Sequence, residues 1–220
     1  MKKISVLLVI AVAILTMGSC GNRTQQVPFD NGDSADIANA DPTIYGISGV
    51  ATTMNMLQLI TDTGDTLSLD ISDAQDKGQV FGGLQAGDRM AVIPNADKTE
   101  AMKVINQTTL MGNWVMLNPL DGSDEVGIRI KEGGIAESID QPTTSYRTWR
   151  LTRGQLEIVQ VDEEGSGQEE TNLYDIVKLG PDSLIYQDGE DVYEYCRQNT
   201  KKKAEDEIKL EDSSTEEFRI

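Results

Sequence analysis

The chain has 220 residues, of which 38% are hydrophobic, 37 are acidic, 19 are basic and none is histidine. The net charge of −18 argues against a nucleic-acid partner, because duplex binding depends on Lys and Arg side chains that neutralise phosphates. Without histidine the chain lacks the commonest general base and the usual zinc ligand, and two cysteines exclude a disulfide framework. The function classes that remain are binding, scaffolding and catalysis by carboxylates. Because no pair of acids stands out, we predict no catalytic residue, metal or cofactor, and no enzyme.

The first residues follow the pattern of an export signal. Lys2 and Lys3 precede an apolar run over residues 4–15, which is shorter than the roughly 20 residues of a membrane span. We therefore expect residues 1–19 to be a cleaved signal peptide. Residues 17–20 (Met-Gly-Ser-Cys) resemble a bacterial lipobox. This resemblance implies that Cys20 is lipidated, with acyl chains such as palmitate anchoring the mature chain to a membrane.

Residues 20–43 are predicted to be the lipidated cysteine and a flexible linker, since they are rich in Gly, Asn, Asp and Ser and lack apolar periodicity. In some Gram-negative lineages an acidic cluster directly after the lipidated cysteine marks export to the cell surface. Residues 21–23 (Gly-Asn-Arg) lack that cluster. The resemblance therefore implies a lipoprotein of the Gram-negative cell envelope that faces the periplasm, with surface display as the alternative.

Residues 44–108 alternate in hydrophobicity with a period of two, which is typical of strands. We predict five strands and one helical turn, with the strands at 47–54, 56–61, 66–71, 89–93 and 101–105 and the turn at 73–78. The order of these elements resembles that of a small five-stranded OB-fold barrel. The segment lacks the basic and aromatic surface that a single-strand binder needs, so we expect a spacer or protein-contact module.

Residues 109–198 are predicted to form a second barrel. The pattern gives eight strands joined by Gly-containing turns, at 114–117, 125–131, 135–139, 146–151, 155–161, 172–179, 183–187 and 192–196. An up-and-down meander of this kind loses its free edges when it closes. The predicted fold class is therefore all-β, with an OB-like barrel followed by an eight-stranded up-and-down barrel. Residues 199–220 carry mixed charges and few apolar residues, which predicts a disordered tail.

The second barrel carries four short motifs, namely Leu110-x-Gly112-x-Trp114, a mid-domain Trp149, Gly154-x-Leu156 and Tyr193-x-Tyr195-x-Arg197. These motifs resemble the lipocalin-like domains of secreted bacterial lipoproteins. The resemblance implies that Gly112 and Trp114 close one end of the barrel and that Arg197 stacks on the indole. Such a cation–π contact is worth about 0.5–2 kcal/mol. It also implies a binding protein rather than an enzyme.

The alternation of the strands directs one face of each into the barrel. The candidate ligand-binding residues are Ile128, Ile130, Trp149, Leu156, Ile158, Tyr174 and Tyr193. Sequence leaves open whether they line a cavity or fill a packed core. A cavity would make the protein a membrane-anchored carrier of a small hydrophobic or lipid-like ligand. Filled barrels would make it an envelope adaptor that acts through protein partners. Cys196 is expected to be a buried strand residue.

Overall fold

The computed structural model describes residues 40–198 except 120, 121, 123, 164 and 166. The predicted signal peptide, Cys20, most of the predicted linker and the predicted tail lie outside the described residues. The described chain is nearly all-β, as predicted, and consists of a six-stranded sheet followed by an eight-stranded one. Within these residues no helix is both long and apolar enough to cross a membrane.

The first sheet contains β1 (Ile44–Ser48), β2 (Met56–Thr61), β3 (Thr66–Asp70), β4 (Val80–Phe81), β5 (Arg89–Pro94) and β6 (Ala101–Asn106). Its strand order is β3-β2-β1-β5-β6-β4. The five longer strands pair antiparallel, and β4 pairs parallel to β6. A parallel bridge joins Asp70 to Glu100, so the outer strand β3 approaches the start of β6. The short helix α1 (Ser72–Asp76) follows β3.

Two predictions for this sheet need correction. The first strand ends at Ser48 rather than at residue 54, because the chain turns back there: the Thr52 hydroxyl accepts a hydrogen bond from the Gln58 amide at 3.2 Å. Val50 and Met54 are consequently exposed. The sheet also has six strands instead of five. The extra strand, β4, has only two residues, too few to show any alternation.

The second sheet is an antiparallel meander of β7 (Gly112–Leu117), β8 (Glu125–Ile130), β9 (Ala136–Ile139), β10 (Thr144–Thr152), β11 (Gln155–Asp162), β12 (Glu169–Leu179), β13 (Ser183–Asp188) and β14 (Asp191–Arg197). The last strand pairs with the first, Arg197 opposite Trp114. Between β9 and β10 the seam holds one bridge, from Ile135 to Thr148, and the Ser138 hydroxyl, which accepts from the Tyr146 amide at 2.9 Å. The predicted eight-stranded up-and-down barrel is confirmed in a nearly closed form.

The barrel has two chemically different ends. The closed end holds the start of β7, the end of β14 and the turns β10–β11 and β12–β13. The tyrosine end holds the turn β13–β14. Along β14, Arg197 lies at the closed end, and Tyr195 and Tyr193 lie two and four residues towards the tyrosine end.

The two sheets share hydrophobic core. Phe81, Ala91 and Ile105 of the first sheet belong to the same buried cluster as Trp114 and Leu151 of the barrel. The helix α2 (Gln107–Leu110) connects β6 to β7. Because the core continues across the junction, the first sheet packs on the barrel rather than standing apart from it.

Asp41, at the end of the predicted linker, ties the chain to the closed end of the barrel. Its carboxylate accepts hydrogen bonds from the Thr152 hydroxyl at 2.8 Å and the Arg153 amide at 3.0 Å, both at the β10–β11 turn. Partial burial raises the pKa of Asp41, but these bonds and those from Thr43 outweigh it and lower the pKa. Residues 41–43 therefore follow the barrel surface.

Candidate functional site

The closed end is occupied by the Trp114 indole. This side chain is fully buried, and its N–H donates to the Leu110 carbonyl at 2.7 Å. The Arg197 guanidinium lies 4.1 Å from the ring centroid. It also donates to the Met111 carbonyl at 3.0 Å, the Thr109 carbonyl at 2.7 Å and the Pro181 carbonyl. Arg197 therefore ties the end of β14 to two other chain segments over the indole, residues 109–111 and the β12–β13 turn.

Gly112 makes this arrangement sterically possible. Its φ of +139° is one that side chains rarely adopt, and a Cβ there would lie 2.2 Å from Arg197 Nη1. The structure thus brings together Gly112, Trp114 and Arg197, the three residues proposed to close the barrel.

Four of the candidate ligand residues, Ile128, Ile130, Leu156 and Ile158, are fully buried in the barrel interior. They belong to one hydrophobic cluster with Trp114, Leu151 and Leu184. These layers of the barrel are packed by their own side chains, as in other small eight-stranded barrels.

Trp149 lies on the side of the barrel that faces the first sheet. Its indole N–H donates to the Lys131 carbonyl at 2.7 Å, next to a short 3-10 turn at Glu132–Gly134. It is 7% exposed and borders a cleft between the barrel and the first sheet. The structure therefore separates Trp149 from the other aromatic candidates.

The tyrosine end contains a cluster of aromatic rings. The Tyr174 ring centroid lies 4.8 Å from that of Tyr186 and 5.7 Å from that of Tyr193. Tyr186 also contacts Tyr193 at 5.3 Å and Tyr195 at 5.4 Å. The Tyr186 hydroxyl donates to the Tyr195 hydroxyl at 3.1 Å. Tyr146 joins them through a side-chain hydrogen bond with Tyr195. We call Tyr146, Tyr174, Tyr186, Tyr193 and Tyr195 the tyrosine cluster. Tyr193 and Tyr146 are its partly exposed members.

Burial moves the pKa of these phenols further above physiological pH. It raises the pKa of Tyr186 well above its usual value, and the neighbouring Tyr195 raises it further. Burial also raises the pKa of Tyr193, as do the carboxylates Asp191 and Asp188. The tyrosine cluster therefore presents neutral hydroxyls beside negative charge at physiological pH.

One polar atom beside this cluster has no partner. Gln141 Oε1 is buried and makes no hydrogen bond to any described residue. The Gln141 side chain hydrogen-bonds to Tyr146, which acts to lower the pKa of that phenol, although burial dominates and raises it. A buried acceptor without a donor costs roughly 1–3 kcal/mol. A ligand with a hydrogen-bond donor would remove that cost.

Strand alternation points to Tyr174 and Tyr193 but not to Gln141, which lies in the β9–β10 turn outside any periodic pattern. The expectation for Cys196 is wrong: the side chain is exposed. Tyr195 is buried in the barrel, and successive side chains of a strand point to opposite faces, so the next residue, Cys196, lies on the outer face. In the described residues no group of three acidic or cysteine side chains is arranged to hold a metal ion.

The barrel part of the chain is similar in sequence to a known protein family. Residues 106–198 match a protein family described as lipocalin-like. A solved structure of a lipocalin-like protein from Bacteroides thetaiotaomicron is 27% identical, covers 41% of this chain and 97% of its own, and has a TM-score of 0.38. No curated protein matches the chain. Residues 106–198 are thus similar in sequence to lipocalin-like domains.

Proposed function

We propose that the lipocalin-like domain binds a small hydrophobic ligand at the tyrosine end and does no chemistry on it. The observation that carries this proposal is the unpartnered Gln141 Oε1 beside the tyrosine cluster. Buried polar atoms without partners are rare in native proteins and need a reason. A ligand that covers the partly exposed Tyr193 ring and donates a hydrogen bond to Gln141 supplies one.

The packing of the barrel limits how deep this ligand lies. Ile128 and Ile158 are fully buried among other apolar side chains. The ligand therefore rests against the tyrosine cluster instead of reaching the closed end. Because Asp188 and Asp191 lie near Tyr193, a neutral or cationic ligand is favoured over an anionic one.

We propose further that the mature protein is anchored in the Gram-negative cell envelope through lipidated Cys20 and faces the periplasm. The lipobox-like residues 17–20 support this anchoring. The bonds of Asp41 to the β10–β11 turn at the closed end support an orientation in which the tyrosine end faces away from the membrane. Labelled palmitate should enter the wild-type protein and be absent from Cys20→Ala.

The first sheet is proposed to be an OB-like spacer without a nucleic-acid partner. The order of its five long strands, the parallel bridge between Asp70 and Glu100 and the helix after β3 support a small barrel of that kind. The net charge of the chain, −18, argues against binding to phosphate backbones.

Ligand binding is tested with N-phenyl-1-naphthylamine, a neutral apolar fluorophore, and the mature chain carrying Cys20→Ser. We expect saturable fluorescence enhancement at about one probe per protein. Tyr193→Glu places a charge on the cluster and should weaken binding at least about tenfold. Val192→Glu adds the same charge to an exposed position on the outer face and should leave binding unchanged. Absence of saturable binding, or equal effects of the two variants, would refute the site.

The packed barrel layers favour a second candidate, the envelope adaptor. In that case the protein acts through its surface, and the connection between β1 and β2 carries two highly exposed apolar side chains, Val50 and Met54, exposed by 93% and 82%. Val50→Ser/Met54→Ser should then abolish the crosslink of the wild-type protein to one stoichiometric envelope protein. The carrier requires no such partner.

A further inference from the structure

We propose that the cleft between the first sheet and the closed end of the barrel binds a small organic cation with an apolar body. This site is separate from the tyrosine end and does not depend on ligand binding there. The cleft has a volume of about 590 Å³, within the range of about 300–1,000 Å³ that is typical of small-molecule sites.

Apolar and aromatic side chains line the cleft. Tyr45 comes from the first sheet, Met111 from the connection between the sheets, and Trp149 and Leu151 from β10. The Tyr45 hydroxyl already donates to the Leu151 carbonyl, so it is engaged in joining the two walls. Aromatic walls suit an apolar body and attract a cation through their ring faces.

The two arginines of the cleft are already neutralised by protein carboxylates. Arg89 donates to both carboxylate oxygens of Asp62 at 2.7 and 2.9 Å. Arg150 does the same to Glu157 at 2.7 and 2.8 Å. Each guanidinium already directs two of its five N–H donors at a carboxylate that offsets its charge, which weakens its attraction for a ligand anion. The cleft therefore disfavours anions despite its arginines.

One carboxylate of the cleft is left uncompensated. Glu132 lines the cleft and makes no ion pair or side-chain hydrogen bond with any other described residue. The turn that carries it includes Gly133 and Gly134, with φ of +75° and +77°, a conformation that side chains disfavour. A Cβ on Gly134 would lie 3.1 Å from the Trp149 carbonyl. These glycines thus let the turn that carries Glu132 approach the Trp149 backbone, and both residues line the cleft.

The preference for cations is tested with two probes of similar shape, phenethylamine and 3-phenylpropanoate. The chain has two tryptophans, so an ¹H–¹⁵N spectrum of the mature chain with Cys20→Ser gives two indole signals, assigned with Trp149→Phe. Phenethylamine should shift the Trp149 signal saturably and leave that of the fully buried Trp114 in place. Affinity for 3-phenylpropanoate should be at least about threefold lower.

Glu132→Gln should weaken phenethylamine binding about threefold to tenfold, as expected for loss of a partly solvated ion pair. The matched variant Glu190→Gln removes an exposed acid at the other end of the barrel and should change nothing. Tyr193→Glu should also retain binding in the cleft, which separates this site from the tyrosine end. Equal affinity for both probes, an unaffected Glu132→Gln or an unmoved Trp149 signal would each overturn the proposal.

Discussion

The two ends of the barrel are built from the same strands but differ in how their polar groups are satisfied. At the closed end, Arg197 donates to three backbone carbonyls and the Trp114 indole donates to a fourth. At the tyrosine end, Gln141 Oε1 is buried without a donor, and Tyr193 is partly exposed. Among the described residues, the buried side-chain polar groups of the closed end have hydrogen-bond partners, whereas Gln141 Oε1 at the tyrosine end has none.

This difference indicates which end stabilises the fold and which end is available for binding. A satisfied polar network fixes one arrangement of the chain, whereas an unpaired buried acceptor lowers stability. Natural proteins retain such local deficits mainly at functional sites. The contrast predicts that equivalent perturbations of the two ends have different sizes and, at Gln141, opposite signs.

Alkaline pH should give the largest effect, and it acts first on the tyrosine end. Burial raises the pKa of all six tyrosines, most strongly at Tyr186 and Tyr146. Their contribution to stability is therefore complete below the unfolded pKa of about 10 and is lost as pH rises through the higher folded pKa. In that window a fully buried tyrosine such as Tyr186 costs about 1.4 kcal/mol of stability per pH unit.

Absorbance of tyrosinate and fluorescence of tryptophan, followed together during an alkaline titration, measure this loss. Trp114 and Tyr186 share one hydrophobic cluster, so the two signals should change together well above pH 10. Ionisation of most tyrosines near pH 10 in the folded protein would contradict the burial of the cluster.

Arg197→Met should give the next largest effect, from the closed end. The change removes the cation–π contact and leaves three carbonyls without their donor, which should lower the free energy of unfolding by about 3 kcal/mol. Urea denaturation measures it. Arg147→Met is the control, because Arg147 makes only a half-exposed ion pair with Glu163 at 3.7 Å and should change stability by less than about 1 kcal/mol. Equal losses of unfolding free energy in the two variants would mean that the Arg197 contacts do not stabilise the fold more than a surface ion pair does.

The fold was more predictable from the sequence than the sites were. Alternation and Gly-containing turns located all eight barrel strands, since those signals are local. The contact between Trp114 and Arg197 was predicted from the resemblance of their motifs to those of lipocalin-like domains. Gln141 lies in a turn without periodicity, and its burial depends on strands distant in sequence. The cleft beside Glu132 forms only where the two sheets pack together, and a local sequence pattern does not predict that packing.

Gln141→Leu should give the smallest effect on stability, in the opposite direction. Leu removes the desolvation cost of the unpaired Oε1, which at about 1–3 kcal/mol outweighs the loss of the Gln141–Tyr146 hydrogen bond, so the free energy of unfolding should stay constant or rise by up to about 1 kcal/mol. The same variant should weaken a ligand that donates to Oε1, while Gln187→Leu on β13 should not. Stability in urea and titration with N-phenyl-1-naphthylamine and with 1-naphthylamine, which adds a primary amine donor, measure the two effects. A clear loss of stability would mean that the described fold already satisfies Gln141, and the two ends would then no longer differ in this respect.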